Sequence, residues 1–158
     1  MNGEHVYHAR CLWQGSTARG YLDYPREHVA SAPPSQDVVT LSADPAFLGR
    51  AERLNPEQLV VMAAASCQLL SFLAVAARAR ITVLRYEDNA VGVMPTDEQP
   101  VRISSIALTP RIIVAAGTSE DKVRHLVDVA HRECYIANSL RTEVTVDPSI
   151  EVESAAGD

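Results

Sequence analysis

The chain has 158 residues, with 14 Lys and Arg against 20 Asp and Glu, a formal net charge of −6. Apolar residues make up 47% and charged residues 22%, a balance that excludes wholesale disorder and supplies a core for one domain over residues 1–158. The arginines are scattered rather than striped, which argues against a nucleic-acid partner. No apolar run reaches 18 residues, which argues against a membrane partner, and Met1-Asn2-Gly3-Glu4-His5 lacks a leader pattern, so the expected location is cytoplasmic.

Taken in chain order, residues 5–14 are rich in β-formers and predict a strand. Gly15-Ser16-Thr17 predicts a turn, and residues 18–24 a second strand. The loop 31–35 carries Pro33-Pro34, which cannot pair inside a sheet. Residues 37–42 predict a third strand, followed by a loop over 44–54. Asn55-Pro56-Glu57-Gln58 is a helix start: Asn as N-cap, Pro at the first helical position, Glu in the first turn and Gln at the third position. No breaker occurs over 59–79, and the segment is apolar nearly all round, which predicts a central, buried helix. Cys67 lies near its middle beside Ala63, Ala64, Ala65 and Ser66, small residues that let a ligand come close.

Residues 81–86 and 90–94 are β-type, as is the longer stretch 101–116, where Pro110 marks an edge or a bulge. A second helix begins at Glu120. Val123, Leu126, Val127, Ala130 and Cys134 recur on one face of it. Residues 135–140 leave that helix, and 143–146 predict the last strand. The acidic tail at 151–158 predicts frayed chain. Segregated strands and helices make the fold class α+β, with helices on a mostly antiparallel sheet. The β-rich part covers about residues 5–50 and the helix-containing part about 55–148.

Three cysteines at long spacing are no secreted disulfide framework. Cys11 alternates in a strand and serves as an apolar residue. Cys67 and Cys134 each lie on the inward face of a long helix, so packing of the helices would bring the sulfurs together. The thiolate is the reactive form, and a cysteine needs activation to populate it near neutrality. Cys67 lies about three turns into its helix, beyond the reach of the N-terminal dipole. A cation brought from elsewhere is therefore expected, with Arg19, Arg26, Arg50 and Arg53 as candidates. Cys134, near a helix C-terminus, faces the wrong dipole sign for a thiolate and suits a resolving role.

Asn55-Pro56-Glu57-Gln58-Leu59, followed by Cys67, resembles the Asn-Pro-Glu-x-Leu…Cys signature of the OsmC/Ohr family of thiol peroxidases. Cys134-Tyr135-Ile136-Ala137-Asn138-Ser139-Leu140 resembles that family's second cysteine segment. Tyr24-Pro25-Arg26-Glu27-His28, Ser42-Ala43-Asp44-Pro45-Ala46-Phe47-Leu48-Gly49 and Tyr86-Glu87-Asp88 ahead of Gly92 are similar to OsmC-like members as well. The resemblance covers about residues 5–148. It implies an OsmC-like fold with two long central helices, an intertwined homodimer, and reduction of organic hydroperoxides to alcohols. Carried over to this chain, it makes Cys67 the peroxidatic thiolate, Cys134 the resolving thiol, Glu57 the carboxylate that holds the catalytic arginine, and Arg26 that arginine, with Arg19 second. Glu57 and Cys67 are ten residues apart, a rise of about 15 Å on one helix, so either an arginine spans between them or Glu57 and the arginine come from the partner chain, and the second is expected. The chain departs from the best-known members at Tyr135, where they carry Pro, and at Tyr24-Pro25, where the Ohr branch carries a glycine pair.

The implied cycle passes through a Cys67 sulfenic acid and a Cys67–Cys134 disulfide, re-reduced by an external dithiol, a protein or a small thiol of the lipoyl type. No bound cofactor and no metal is expected. An apolar surround at Cys67 favours alkyl peroxides over hydrogen peroxide. Two rivals are weighed. His131 and Cys134, at i and i+3, could join Cys67 around zinc, but no second spaced pair supports this. The fold could also act without turnover, as a small-ligand binder or a redox switch.

Overall fold

The computed structural model describes residues 3–154. The chain divides into two compact units, Met1–Leu59 and Val60–Asp158. In the first, β1 (Arg10–Leu12), β2 (His28–Ser31) and β3 (Val38–Leu41) form one antiparallel sheet in the order β1-β2-β3. Cys11 stands opposite Ala30, and Val29 opposite Thr40. The strand predicted over residues 18–24 is absent. Turns stand in its place, closed by Gly20 N–H on the Thr17 carbonyl and Asp23 N–H on the Gly20 carbonyl. Gly20 takes φ +86°, a left-handed conformation that ends an extended run and that only glycine adopts freely. The pairing strand lies later, at β2.

After β3 the chain tightens around Asp44. Its Oδ1 accepts the Ala46 N–H at 2.8 Å and caps a 3-10 turn over Pro45–Phe47. Gly49 sits so close to the Ala43 carbonyl that a Cβ there would overlap it. The Asn55 side chain donates to Asp44 at 3.3 Å. Asn55 also makes the predicted reciprocal cap: its Oδ1 accepts the Gln58 N–H at 2.8 Å, and Gln58 Oε1 accepts the Asn55 N–H at 3.0 Å. Helix α1 (Pro56–Arg78) starts from this cap.

The second unit holds β4 (Val83–Glu87), β5 (Val91–Val93), β6 (Ser105–Leu108), β7 (Arg111–Val114), α2 (Glu120–Glu133), α3 (Tyr135–Ser139), β8 (Glu143–Val146) and β9 (Ser149–Val152). They make two three-stranded sheets, β4-β7-β9 and β5-β6-β8. Each combines an antiparallel pair, β4·β7 or β5·β6, with a parallel one, β7·β9 or β6·β8. Pro110 divides the stretch 101–116 into β6 and β7, which join different sheets. Lacking an N–H, it cannot continue a ladder, and its carbonyl accepts the Ser149 N–H instead. Two expectations change here. Residues 135–140 hold the short helix α3. Glu151 and Val152, assigned to a frayed tail, belong to β9, while residues 155–158 lie outside the described residues.

One apolar cluster joins Phe72, Val75 and Ala76 of α1 to Ile112 and Val114 of β7 and to Val123, Leu126, Val127 and Ala130 of α2. The four α2 residues are those the periodicity singled out. A second cluster joins Ala64 of α1 to Ile106 and Leu108 of β6. α1 is not buried all round. Its sealed residues, Ala64, Gln68, Phe72, Val75 and Ala76, form one stripe, while Met62 and Leu70 on other faces are 52% and 64% exposed. An 18-residue window of α1 has a mean hydropathy of 2.2, so length and composition alone would let it cross a bilayer. The run criterion misses this because Ser66, Gln68 and Ser71 interrupt the apolar residues. The result is a mixed α+β chain of two main helices and three small sheets, one antiparallel and two mixed.

Candidate active site

Cys67 and Cys134 come together. Cys67 is half-buried and Cys134 is 1% exposed, and neither is in a disulfide. The Cys134 thiol donates a hydrogen bond to Cys67. Cys67 opens onto a cavity of about 470 Å³, lined by Ala63, Leu70, Ala74 and Ile136 on its apolar side and by Ser66, Ser71 and Tyr135. Arg78 and Glu133 stand at its edge, paired at 3.2 Å.

The two sulfurs differ in character. Burial pushes the Cys67 thiol up, but the Ile136 N–H, the Cys134 thiol, the Tyr135 N–H and the Ser71 hydroxyl all donate to it, and together they hold it below the ordinary cysteine value. Burial also pushes Cys134 up. The Ala137 N–H offsets part of this, while the hydrogen bond to Cys67 and the charge there add to it, so Cys134 stays above the ordinary value. Of the two sulfurs, Cys67 is therefore the one that ionises first.

The source of this difference was not legible in the sequence. Residues 135–140 carry no helix signal, yet Cys134 ends α2 and begins α3 at φ −69°, ψ 109°. That bend turns the Tyr135 and Ile136 amides toward Cys67. No cation is among the groups that lower it. The side chain after Cys134 matters here, because a proline at position 135 would have no N–H to give.

The candidate arginines lie in the first unit. Arg26 is held by the Tyr24 and Tyr21 carbonyls, which accept from its guanidinium. The same group stacks on the two rings, 3.7 Å from the Tyr24 centroid and 4.9 Å from that of Tyr21. Trp13 packs edge-on to Tyr24 at 6.2 Å and donates its indole N–H to the Pro25 carbonyl at 2.7 Å. Arg26 and Glu57 line one cavity of about 460 Å³, together with Trp13, Tyr24, His28 and Asp44. No ion pair joins Arg26 to Glu57 among the described residues. Arg19 pairs with Asp23 on the surface, and Arg50 and Arg53 both pair with Glu27. Cys11 is exposed. Among the described residues no three His, Cys, Asp or Glu side chains converge as a metal site would need.

An α+β chain whose two cysteines meet beside an open cavity, one acidified and one sealed, defines the class of fold and site. The chain belongs to the OsmC-like protein family, whose model matches residues 49–149. It is similar in structure to an OsmC-like protein of unknown function from Vibrio cholerae, at 28% identity and a TM-score of 0.81, over 92% of this chain and 100% of that one. An organic hydroperoxide resistance protein OsmC from Legionella pneumophila shares the fold at 17% identity and a TM-score of 0.68, over 96% of this chain and 100% of that one. So does an organic hydroperoxide resistance protein from Elizabethkingia anophelis, at 15% identity and a TM-score of 0.72, over 97% of this chain and 100% of that one. A search of curated proteins finds no match.

Proposed function

We propose that the protein is a two-cysteine peroxidase that reduces organic hydroperoxides to alcohols. The observation that carries this reading is the unlike pair of sulfurs, Cys67 held below the ordinary cysteine value at a cavity and Cys134 buried beside it and held above that value. The Cys67 thiolate attacks the distal peroxide oxygen. The O–O bond breaks, the alcohol leaves after taking a proton, and Cys67 becomes a sulfenic acid. Cys134 then attacks that sulfur, water leaves, and the disulfide forms. An external dithiol returns both cysteines to the reduced state by exchange. The cavity side made of Ala63, Leu70, Ala74 and Ile136 favours a peroxide with an apolar tail, at about 25 cal/mol per Å² buried.

A homodimer completes this reading. Met62 and Leu70 on α1, and Leu12, Tyr21 and Val38 in the first unit, leave apolar area open that a second copy of the chain would cover. In that assembly Arg26 and Glu57 of one copy serve the Cys67 cavity of the other. Arg26 orients the peroxide, and Glu57 helps to hold it. Because the groups that lower Cys67 are neutral donors of its own unit, the arginine is assigned to substrate positioning more than to ionising the thiol.

The test is consumption of cumene hydroperoxide with dihydrolipoamide or dithiothreitol. Wild type is expected to turn over repeatedly, and Cys67→Ser to fall to the uncatalysed rate. One reaction per chain followed by arrest would favour a redox switch over an enzyme. Undiminished turnover in Cys67→Ser would sink the proposal.

A further inference from the structure

Ser71 lies four residues after Cys67 on α1, so the two side chains share one helix face, with Cβ atoms about 5–6 Å apart. Both are half-buried, and both line the cavity of about 470 Å³. The Ser71 hydroxyl hydrogen-bonds to the Cys67 sulfur. A serine inside a helix can instead turn its hydroxyl back to the carbonyl four residues earlier, as Ser139 of α3 does to Tyr135 at 2.7 Å. Among the described residues Ser71 makes no such bond, and its hydroxyl faces the sulfur. Alanine, which occupies positions 63 and 74 of the same cavity wall, is the better helix former. The helix itself therefore gains nothing from a serine at 71.

The peroxide step has a proton to place. The thiolate attacks the distal oxygen along the O–O bond, so the leaving oxygen lies beyond it, on the cavity side. It leaves as an alkoxide, a far stronger base than a thiolate, and needs a proton as the bond breaks. Most groups around Cys67 are unsuited to give one. The Tyr135 and Ile136 amides keep their protons. Cys134 is 1% exposed and does not line the cavity. Arg78 and Glu133 are paired with each other at 3.2 Å, and a guanidinium, that of Arg26 included, does not release a proton. Ser66 is exposed and adjacent in sequence, so it does not share the Cys67 face. The Tyr135 side chain is 82% exposed. Ser71 alone combines a mobile proton, contact with the sulfur and a place on the cavity wall.

We propose that the Ser71 hydroxyl is the proton relay of the peroxide step, an inference that rests on the peroxidase reading above. As the S–O bond forms, the proton on the distal oxygen becomes acidic and passes to the Ser71 Oγ. The hydroxyl proton of Ser71 passes at the same time to the departing oxygen. The O–O bond breaks, the alcohol leaves neutral, and Ser71 ends as it began. Sulfur is oxidised by two electrons and the peroxide is reduced by two. Cys67 is left as a sulfenate, which takes one proton from solvent to become the sulfenic acid that Cys134 attacks.

The test compares Ser71→Ala and Ser71→Thr with the parent chain, all carrying Cys11→Ser because Cys11 is exposed and would itself react. Modification of Cys67 is followed by rapid quenching and peptide mass. Alkylation by iodoacetamide, which expels iodide and needs no proton, locates the pH above which Cys67 is fully ionised, and the comparison is made there. Under those conditions Ser71→Ala is expected to slow the reaction with cumene hydroperoxide at least about tenfold, the low side of what a positioned acid gives, because water can enter the open cavity. Alkylation, and oxidation by peracetic acid, which expels the weak base acetate, are expected to stay within about twofold. Ser71→Thr keeps the hydroxyl and is expected to keep most of the cumene hydroperoxide rate. An equal loss with peracetic acid or in alkylation would make Ser71 a support of the thiolate only and overturn the proposal. So would an undiminished cumene hydroperoxide rate in Ser71→Ala, or a Ser71→Thr chain as slow as Ser71→Ala. A parent Cys67 that is alkylated but reacts with neither peroxide would defeat the peroxidase reading and the relay with it, whereas a reactive parent matched by Ser71→Ala would defeat the relay alone.

Discussion

The second unit seals Phe72, Ile106, Ile112, Val114 and Val127 to 1% exposure or less, whereas the first leaves Tyr7, Leu12, Tyr21, Leu22 and Val38 at 60% or more. Both contain a three-stranded sheet with β-formers on it. The difference lies in what covers the sheet. In the second unit α1 and α2 pack on β7 and bring a layer of side chains to each other. In the first, Leu41, Ser42 and Asn55 are the sealed residues, and they lie where β3 runs into the Asp44 turn. A three-stranded sheet without a covered face is marginal in water. The first unit therefore depends on hydrogen-bonded turns, the Asn55 cap and the stacked Arg26 cage for its local order, and its apolar surface calls for a cover.

Mutations at matched positions can break that contrast. The largest expected effect is in the sealed core: Phe72→Ala should cost about 3–5 kcal/mol in urea unfolding. Leu12→Ala should change stability by less than about 0.5 kcal/mol at concentrations where the chain is a monomer, and by more where a second copy covers it. Equal costs at both positions under monomer conditions would show that the first unit owns a core after all. Next in size is the open face of α1. For the proposed homodimer, Leu70→Glu should weaken self-association at least about tenfold, seen as a halved mass by light scattering. An unaltered mass would place any partner surface elsewhere.

Smaller effects sharpen the comparison. Asn55→Ala removes the cap that starts α1 and should cost about 1 kcal/mol, measured by thermal unfolding. Tyr135→Pro probes the second unit's own donors. Proline suits the first position of α3, so the helix should persist, while one N–H to Cys67 is lost. The sign follows from ionisation. The reactive form is the thiolate, so rate rises with pH through the Cys67 pKa, and the donors set that pKa below the ordinary cysteine value. Removing one donor should move the rate–pH profile to higher pH and lower the rate at pH 7 about threefold, with little change well above the pKa. A profile that stays put would leave the Tyr135 amide without a role.

Much of the fold was legible because it rests on local chemistry. The cap at Asn55, the start of α1, the apolar face of α2 from Val123 to Ala130 and the α+β class all follow from residues within a few positions of one another. The misplaced elements share a cause. Residues 18–24 have β-type composition but carry Gly20 in a left-handed turn, and strand formation needs a partner that composition does not specify. β9 went unforeseen because Glu151 and Glu153 make its end read as part of the acidic tail, and only its ladder to β7 fixes it as a strand. Of the site, the pairing of Cys67 with Cys134 was legible from their helix faces and from the family motif. The amides of Tyr135 and Ile136 were not, since no side-chain pattern announces a bend that aims backbone N–H groups.

By itself, then, the sequence determined where the two main helices start and which face of α2 turns inward, because helix periodicity and capping act over a few residues, and it left the meeting of the two sulfurs conditional on how those helices pack. The tertiary structure alone decided how the two sulfurs differ. A thiol's acidity depends on how deeply it is buried and on which donors point at it, and at Cys67 three of the four donors, from Cys134, Tyr135 and Ile136, lie nearly seventy residues further along the chain, with only Ser71 local.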